Sequence, residues 1–275
     1  MEAWIRTAVL GVPSRDAAQV RHYPPVAGKD TNTGAKRARE ARAALGLSPT
    51  GPIPCILTTI EVDAATPVVI CRLPDGIAGC VTPTDDGPIV WVNGTQFPAR
   101  QRFTLAHELG HIRCGHDGRL AVDTFETLSG VTTDSREIQA NAFAAEFLAP
   151  AEGVRAMVTA EPTLETIVQV AARFGLSTIA ALYRLNTLGL TRRYKRLKDE
   201  IDGGLHDEVW DRLAPPELDD AIARLTPEDL PRLSPVLQHS ALAALIAGAA
   251  SVHDVARTVG CDPAKVAAGA GAIGV

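Results

Sequence analysis

Two histidines four residues apart, with a glutamate directly after the first, form an H-E-x-x-H motif at His107, Glu108 and His111. On a helix, residues at this spacing lie on one face, with Cβ atoms about 5–6 Å apart. Two imidazoles so placed can bind one Zn²⁺ ion through nitrogens about 2.0–2.1 Å from the metal. Glu108 lies about 100° further around the helix, so it is no ligand but can act as general base toward a metal-bound water. The motif therefore predicts a hydrolytic site with one catalytic zinc ion.

A catalytic zinc site keeps one position open and needs a third protein ligand, for which the sequence offers three candidates. His116 and Asp117 follow the motif directly, but the extended motif that would use Asp117 requires glycine where this chain has Cys114. The third candidate is Glu137, on the next predicted helix. Its carboxylate also fits a helix-capping box that begins at Asp134, so two roles compete for it. The residue pattern alone leaves the choice open.

These residues must be held by the elements around them. Proline suits the first turn of a helix, so the motif helix is predicted to begin near Pro98. Clusters of Gly, Asp and Pro separate three short β-like runs upstream, which predicts a small three-stranded antiparallel sheet. The predicted strands are 67–72, 77–82 and 88–93. The other elements predicted nearby are helices at 31–47, 53–60 and 135–148 and a loop at 117–134.

A change in charge divides the second half of the chain. Residues 163–190 have the pattern of a helix-turn-helix-like pair with its turn at Gly175, and a basic run, 192–198, follows. Residues 199–230 then hold eleven acidic residues, with Arg212 and Arg224 as the bases. We therefore predict an N-terminal arm and helix at 1–50, a domain containing the zinc motif at 51–198, and a helical C-terminal module of unassigned role at 199–275.

Composition excludes some classes of protein. The chain has 275 residues with 27 basic and 32 acidic side chains, a net charge of −5, which excludes a globally basic nucleic-acid binder. Five cysteines without a C-x-x-C pair argue against a disulfide framework or a cysteine zinc ribbon. The longest small apolar run, 241–250, is about half the length that crosses a bilayer. With no signal-peptide pattern at the N-terminus, we expect a cytoplasmic protein without membrane contact.

Two separated segments, residues 102–111 and 137–150, together resemble the ImmA/IrrE family of zinc metallo-endopeptidases. In that family the second segment is approximately E-x-x-A-N-x-F-A-A-x-L-L-x-P, and this chain matches it apart from Phe147 and Ala149, where Leu and Met are usual. The resemblance covers about residues 50–190. It implies that the acidic residue matching Glu137 is the third zinc ligand.

The resemblance also implies a fold and an activity. The fold is α+β, with a mainly helical, zincin-like metallopeptidase core beside a small three-stranded sheet, to which this chain adds a helical C-terminal region. Members of the family cleave a partner repressor of the helix-turn-helix type and relieve repression in mobile-element or stress-response regulation. Two departures are that residues 1–50 contain no helix-turn-helix pattern and that the chain after about residue 200 matches nothing in the family.

Further side chains are candidates for supporting roles around the metal. Asn141 lies one helical turn after Glu137 and is a plausible hydrogen-bond partner of a metal ligand. The oxyanion that develops during hydrolysis needs a cationic or phenolic donor in addition to the metal. His116, Arg113 and Tyr183 are the candidates for that donor.

Two other functions compete with proteolysis. A DNA-binding regulator would use the helix-turn-helix-like pair, with Arg184 and Asn186 as the side chains that read base edges, and the basic run 192–198 would supply a weak DNA contact. An antitoxin-like partner protein without proteolytic activity is the other alternative. The intact Glu108 argues against it, because an inactive protein has no need for the general base.

Overall fold

The computed structural model describes residues 31–84, 86–116, 121–124, 132–215, 218, 221–259 and 262–271. Within these ranges, helices and one mixed β-sheet form an α+β fold, as predicted. No single helix in the described part of the chain is long and apolar enough to cross a lipid bilayer. The predicted N-terminal arm before residue 31 lies outside the described residues.

Most of the described chain is helical, and the predicted helices at 31–47, from Pro98 and at 135–148 are confirmed. The helix predicted at 53–60 begins at Ile56 and continues as a π-helical turn, Thr59–Asp63. The helices are α1 (Thr31–Ala44), α2 (Ile56–Thr58), α3 (Pro98–Arg113), α4 (Ser135–Leu148), α5 (Ala151–Met157), α6 (Leu164–Phe174), α7 (Thr178–Thr187), α8 (Tyr194–Asp202), α9 (Leu205–Leu213), α10 (Pro235–Ile246), α11 (Val252–Val259) and α12 (Pro263–Gly271). Two 3₁₀ turns follow α9, at Ala221–Arg224 and Pro227–Asp229.

One five-stranded sheet has the strand order β4-β2-β3-β1-β5. Its strands are β1 (Val68–Cys71), β2 (Ile77–Thr82), β3 (Ile89–Asn93), β4 (Ala121–Thr124) and β5 (Arg232–Leu233). β2 pairs antiparallel with both β3 and β4, and β5 pairs antiparallel with β1. In contrast, β1 and β3 are parallel, with Val68 opposite Val90.

The three predicted strands exist, but the prediction of a three-stranded antiparallel sheet is wrong in strand number and in one direction. β3 inserts between β1 and β2, so β1 and β3 run parallel. Both are buried along their whole length, as parallel strands in the centre of a sheet are. The added strands are short edge strands, and neither shows a strand pattern in sequence. β4 falls within the predicted loop 117–134, and β5 falls within the predicted C-terminal module.

Apolar side chains cover both faces of the sheet. The face toward α3 and α4 forms the main core, with residues that include Val81, Val90, Val92, Leu105, Leu109, Phe143 and Phe147. On the opposite face, Leu237 of α10 packs with Val69, Cys71, Ile89 and Trp91. Because the metal motif lies on α3, its side chains are held between this sheet and the neighbouring helix α4.

The N-terminal helix α1 packs directly against α4 at Gly34. A Cβ atom there would lie 2.0 Å from the carbonyl oxygen of Gln139 and 2.9 Å from the amide nitrogen of Phe143. At the end of α1, Arg42 is buried and donates to the carbonyl oxygens of Phe147 and, at 2.6 Å, of Gly51. Helix α1 therefore packs closely against α4 and supports it.

Helices α6 and α7 form the predicted helix-turn-helix-like pair, with an angle of 103° between them. Thr163 and Ser177 cap their N-termini, and Gly175 ends α6 with the left-handed φ of 65° that favours glycine. The prediction of Arg184 as a base-reading side chain is wrong. Its guanidinium is buried, pairs with Glu146, and donates from Nε to a carbonyl oxygen of α4's C-cap at 2.9 Å.

The predicted division between residues 198 and 199 falls inside the continuous helix α8. Beyond it, Ile222 lies in the main core and β5 joins the sheet. Helix α11 begins with a capping box, in which the backbone N–H of each of Ser251 and Asp254 donates to the other's side chain at 3.1 Å. The division into domains stays a prediction.

Candidate metal centre

Helix α3 carries the H-E-x-x-H motif in its second half. His107 and Glu108 are completely buried, and His111 is 1% exposed. Four-residue spacing brings the two imidazole rings together, with their Nε2 atoms 3.0 Å apart. Two imidazole nitrogens this close together in a buried position could bind one metal ion.

Glu137, in the first turn of α4, completes a group of three possible metal ligands. Its Oε2 atom lies 3.3 Å from the Nε2 atom of His107, and its Oε1 atom lies 3.6 Å from the Nε2 atom of His111. One ligand atom from each residue lies within 4.8 Å of the other two. The structure therefore brings together the three residues predicted to bind the metal.

The geometry of this group fits a tetrahedral metal ion. Ligand atoms 2.0–2.1 Å from a common tetrahedral ion are about 3.3 Å from one another. The two Nε2 atoms are 3.0 Å apart, and each lies 3.3 or 3.6 Å from one of the two carboxylate oxygens of Glu137. Two histidines and one glutamate are also a ligand set of catalytic zinc sites, in which the fourth position stays open. The donor set thus suits a single catalytic metal ion.

Other residues make the hydrogen bonds that cap α4, so Glu137 is not needed for capping. Asp134 caps α4 by accepting from the backbone N–H of Arg136 at 2.9 Å. In a capping box, the glutamate side chain would accept a hydrogen bond from the backbone N–H of Asp134. Here that N–H group donates instead to the Oγ1 atom of Thr132 at 3.2 Å. The carboxylate of Glu137 lies against the two histidines. The cap and the possible metal ligand are therefore separate side chains.

Asn141 lies one turn after Glu137, and its Oδ1 atom is 3.0 Å from the Nδ1 atom of His107. An amide oxygen can only accept a hydrogen bond, so Nδ1 of His107 carries the proton. The lone pair of this ring is then on Nε2, which faces Glu137. Asn141 thus lies where the sequence predicted a partner of a metal ligand.

His116 contacts the other histidine, with its Nδ1 atom 3.1 Å from the Nδ1 atom of His111. Burial is the main cause that lowers the pKa of His116 to about 4, so its ring is neutral at pH 7. A neutral ring can accept a hydrogen bond from the Nδ1–H group of His111, which leaves Nε2 of His111 available for the metal. The contact lies on the Nδ1 side of His111, whereas the Nε2 atom faces His107 and Glu137.

The remaining candidates named from the sequence are Tyr183, Arg113 and Asp117. Tyr183 is 40% exposed and packs against Tyr194, with ring centroids 5.8 Å apart. Arg113 is buried at the end of α3. Asp117, the alternative third ligand, lies outside the described residues.

One residue of the site was missed in the sequence, Gly79 in β2. A Cβ atom added at this position would lie 2.7 Å from the Oε1 atom of Glu108, the predicted general base. A glycine inside a predicted strand often marks a bulge or a close approach by another group. That signal was present within the predicted strand 77–82.

Part of this chain is similar to known proteins. A family model described as the IrrE N-terminal-like domain matches residues 67–186, a range that contains β1 to β3, the motif helix and Glu137. The radiation response metalloprotease IrrE of Deinococcus deserti is 34% identical over 99 residues, which cover 35% of each chain. The protein of the same name from Deinococcus radiodurans is 33% identical over 99 residues, covering 35% of this chain and 30% of its own. The chain thus spans about a third of the length of these curated relatives.

Proposed function

We propose that this chain, whose residues 67–186 match the model of the IrrE N-terminal-like domain, is a zinc-dependent metallo-endopeptidase. The observation that carries the proposal is the group of His107, His111 and Glu137, brought from two helices to within 4.8 Å beside the buried Glu108. Both curated relatives are themselves named metalloproteases, which supports peptide-bond hydrolysis over other zinc chemistry.

The side chains of the site divide the work of hydrolysis. His107, His111 and Glu137 would hold the metal ion. A bound Zn²⁺ ion would supply Lewis-acid chemistry, which polarises a carbonyl and makes water a better nucleophile at neutral pH. Glu108 accepts the proton of the attacking water and delivers it to the leaving amine. Asn141 and His116 keep the two imidazole rings in the tautomer that presents Nε2 to the metal.

We further propose that the substrate is a transcriptional repressor of the helix-turn-helix type, cleaved to relieve repression. The support is the resemblance of residues 102–111 and 137–150 to the ImmA/IrrE family, together with relatives whose names place them in a radiation response. A mobile-element or stress-response role follows from the same resemblance.

Two substitutions test the activity and the roles of the ligands separately. Glu108→Gln should retain bound zinc but lose at least about 100-fold in the rate of cleavage, because a general base contributes about 10²–10⁴-fold. Glu137→Ala should lose zinc as well as activity. The measurements are metal content by mass spectrometry and cleavage of a helix-turn-helix repressor encoded beside this gene, followed by gel electrophoresis.

The exposed Glu152 offers a matched control, because Glu152→Gln makes the same carboxylate-to-amide change away from the site. It should keep both zinc and activity. Full zinc content in Glu137→Ala would show that the third ligand is assigned wrongly. Full activity in Glu108→Gln would show that the base is assigned wrongly, and a metal other than zinc in the wild-type protein would contradict the metal assignment.

The alternative of sequence-specific DNA binding lacks its main side chain, since Arg184 is buried. A weak contact through 192–198 is a separate proposal that a gel shift at low salt tests, because phosphate contacts are strongest there. Several cations of this run are already paired with acids. These pairs are Arg193 with Glu161, Arg196 with Glu200, and Lys198 with Asp202. A missing shift at low salt would exclude the contact.

A further inference from the structure

Gly79 of β2 leaves no space for a side chain on the face of the sheet that meets α3. A Cβ atom at this position would lie 2.7 Å from the Oε1 atom of Glu108 and 2.6 Å from the Cγ2 atom of Thr104. It would also lie 2.8 Å from the carbonyl oxygen of Trp91 on the neighbouring strand β3. All three distances are shorter than real Cβ contacts, so a substitution forces one of these groups to move.

The requirement for glycine here concerns space rather than backbone conformation. The backbone φ angle of Gly79 is not positive, so an alanine could adopt the same backbone angles. The register between β2 and β4 shifts between Ile77 and Gly79, a bulge next to the candidate active site. Bulges of this kind commonly redirect a strand beside an active site. The bulge and the missing side chain occur at the same place in the sheet, beside Glu108.

We propose that Gly79 is a positioning residue that sets the location of the Glu108 carboxylate. A methyl group at residue 79 cannot move toward β3, because the Trp91 carbonyl belongs to the paired backbone of the sheet. It therefore pushes toward α3, where the end of the Glu108 side chain is the most movable of the contacting groups. The inference rests on the proposed role of Glu108 as the base that accepts the proton from water.

Gly79→Ala tests this proposal in the zinc-loaded full-length protein. A carboxylate displaced by about 1 Å is expected to lower kcat by about 100-fold, while KM and zinc content stay near the wild-type values. Gly94→Ala, in the turn directly after β3, is the matched control, since its Cβ would contact side chains of Leu230 and Ile70 rather than a catalytic group. It should reduce thermal stability and leave kcat of the folded protein unchanged. A Gly79→Ala enzyme with wild-type kcat would overturn the proposal.

A second measurement remains valid even if Gly79→Ala lowers stability. In a double-mutant cycle with Glu108→Ala, the loss of Tm caused by Gly79→Ala should be smaller once the carboxylate is gone. An equal loss in both backgrounds would show that Gly79 does not act through Glu108.

A third variant tests the neighbouring contact with α3. Thr104→Ser removes the methyl group that would contact a side chain at residue 79. Recovery of kcat in Gly79→Ala/Thr104→Ser would assign the effect to helix packing and overturn the proposal. Because the cycle reads Tm, its outcome is independent of whether Glu108 is the catalytic base.

Discussion

The Nδ1 atom of His107 lies 3.0 Å from the Oδ1 atom of Asn141, and this contact joins the two helices that carry the candidate metal ligands. Helix α4 thereby has two functions in the site. It supplies the carboxylate of Glu137, and one turn later it orients the imidazole of the facing helix. The position of α4 relative to α3 therefore decides whether the site can bind a metal.

Asn141→Ala should weaken metal binding without preventing folding. The substitution removes the acceptor that holds the His107 ring in its metal-binding tautomer, and loss of such a partner typically costs about 10–100-fold in metal affinity. Competition with a chelator of known affinity measures the change. The exposed Asn186 on α7 gives a control, because Asn186→Ala is expected to leave the affinity unchanged. Equal affinity of the Asn141→Ala and wild-type proteins would contradict the role.

Gly34→Ala should destabilise the protein, although Gly34 lies on α1 and the candidate metal ligands lie on α3 and α4. The new Cβ would lie 2.0 Å from a backbone oxygen of α4, so α1 and α4 must separate. Overpacking of this kind costs about 1–3 kcal/mol, which thermal or urea unfolding detects. Because α4 carries Glu137, zinc affinity should fall as well.

The control for Gly34 is Gly203→Ala, whose Cβ would approach only carbonyl oxygens of its own helix, at 3.3 and 3.6 Å. That change should be close to neutral in stability. If Gly34→Ala unfolds at the same temperature as the wild-type protein, the close contact between α1 and α4 does not exist in solution.

Arg184→Ala should act on stability rather than on nucleic-acid binding. The guanidinium pairs with Glu146 inside the protein, and removing one partner of a buried pair costs about 3–5 kcal/mol. Arg192→Ala, at an exposed position nearby, is expected to change stability little. Unfolding experiments on both variants measure the difference. A stable Arg184→Ala protein would show that the side chain is exposed and available to a ligand.

The thiol of Cys114 should be unreactive in the folded protein. Burial, only partly offset by the charge of Arg37, raises its pKa to about 11, and the side chain is fully buried. The thiolate is the reactive form, and about 0.1% of the group is ionised at pH 8. This fraction rises about tenfold with each pH unit below the pKa.

Alkylation followed by peptide mass spectrometry checks this expectation. The partly buried Cys55 is the internal comparison and should be modified first. Cys114 should be modified in guanidinium chloride, where the chain is unfolded. Rapid alkylation of Cys114 in the native protein at pH 8 would contradict its burial.

Features governed by local rules were predictable from the sequence. The start of α3 at Pro98, the bounds of α4, the caps of α6 and α7 and the capping box at Ser251 depend on residues within one helical turn of each other. The sheet was predicted only in part, because strand pairing joins distant segments. β5 lies more than 150 residues after its partner β1 in the chain. It consists of only two residues, which is too short a segment to show a strand pattern in the sequence.

By itself, the sequence determined that His107, Glu108 and His111 share one helix, because helical spacing is a local property of the backbone. Only the tertiary structure decided that Glu137 faces these histidines while Asp134 caps the helix, and that Gly79 lies against Glu108. Each of these contacts depends on how two separate segments pack. The burial of apolar surface that drives packing is non-directional, so a residue pattern does not specify which side chains will meet.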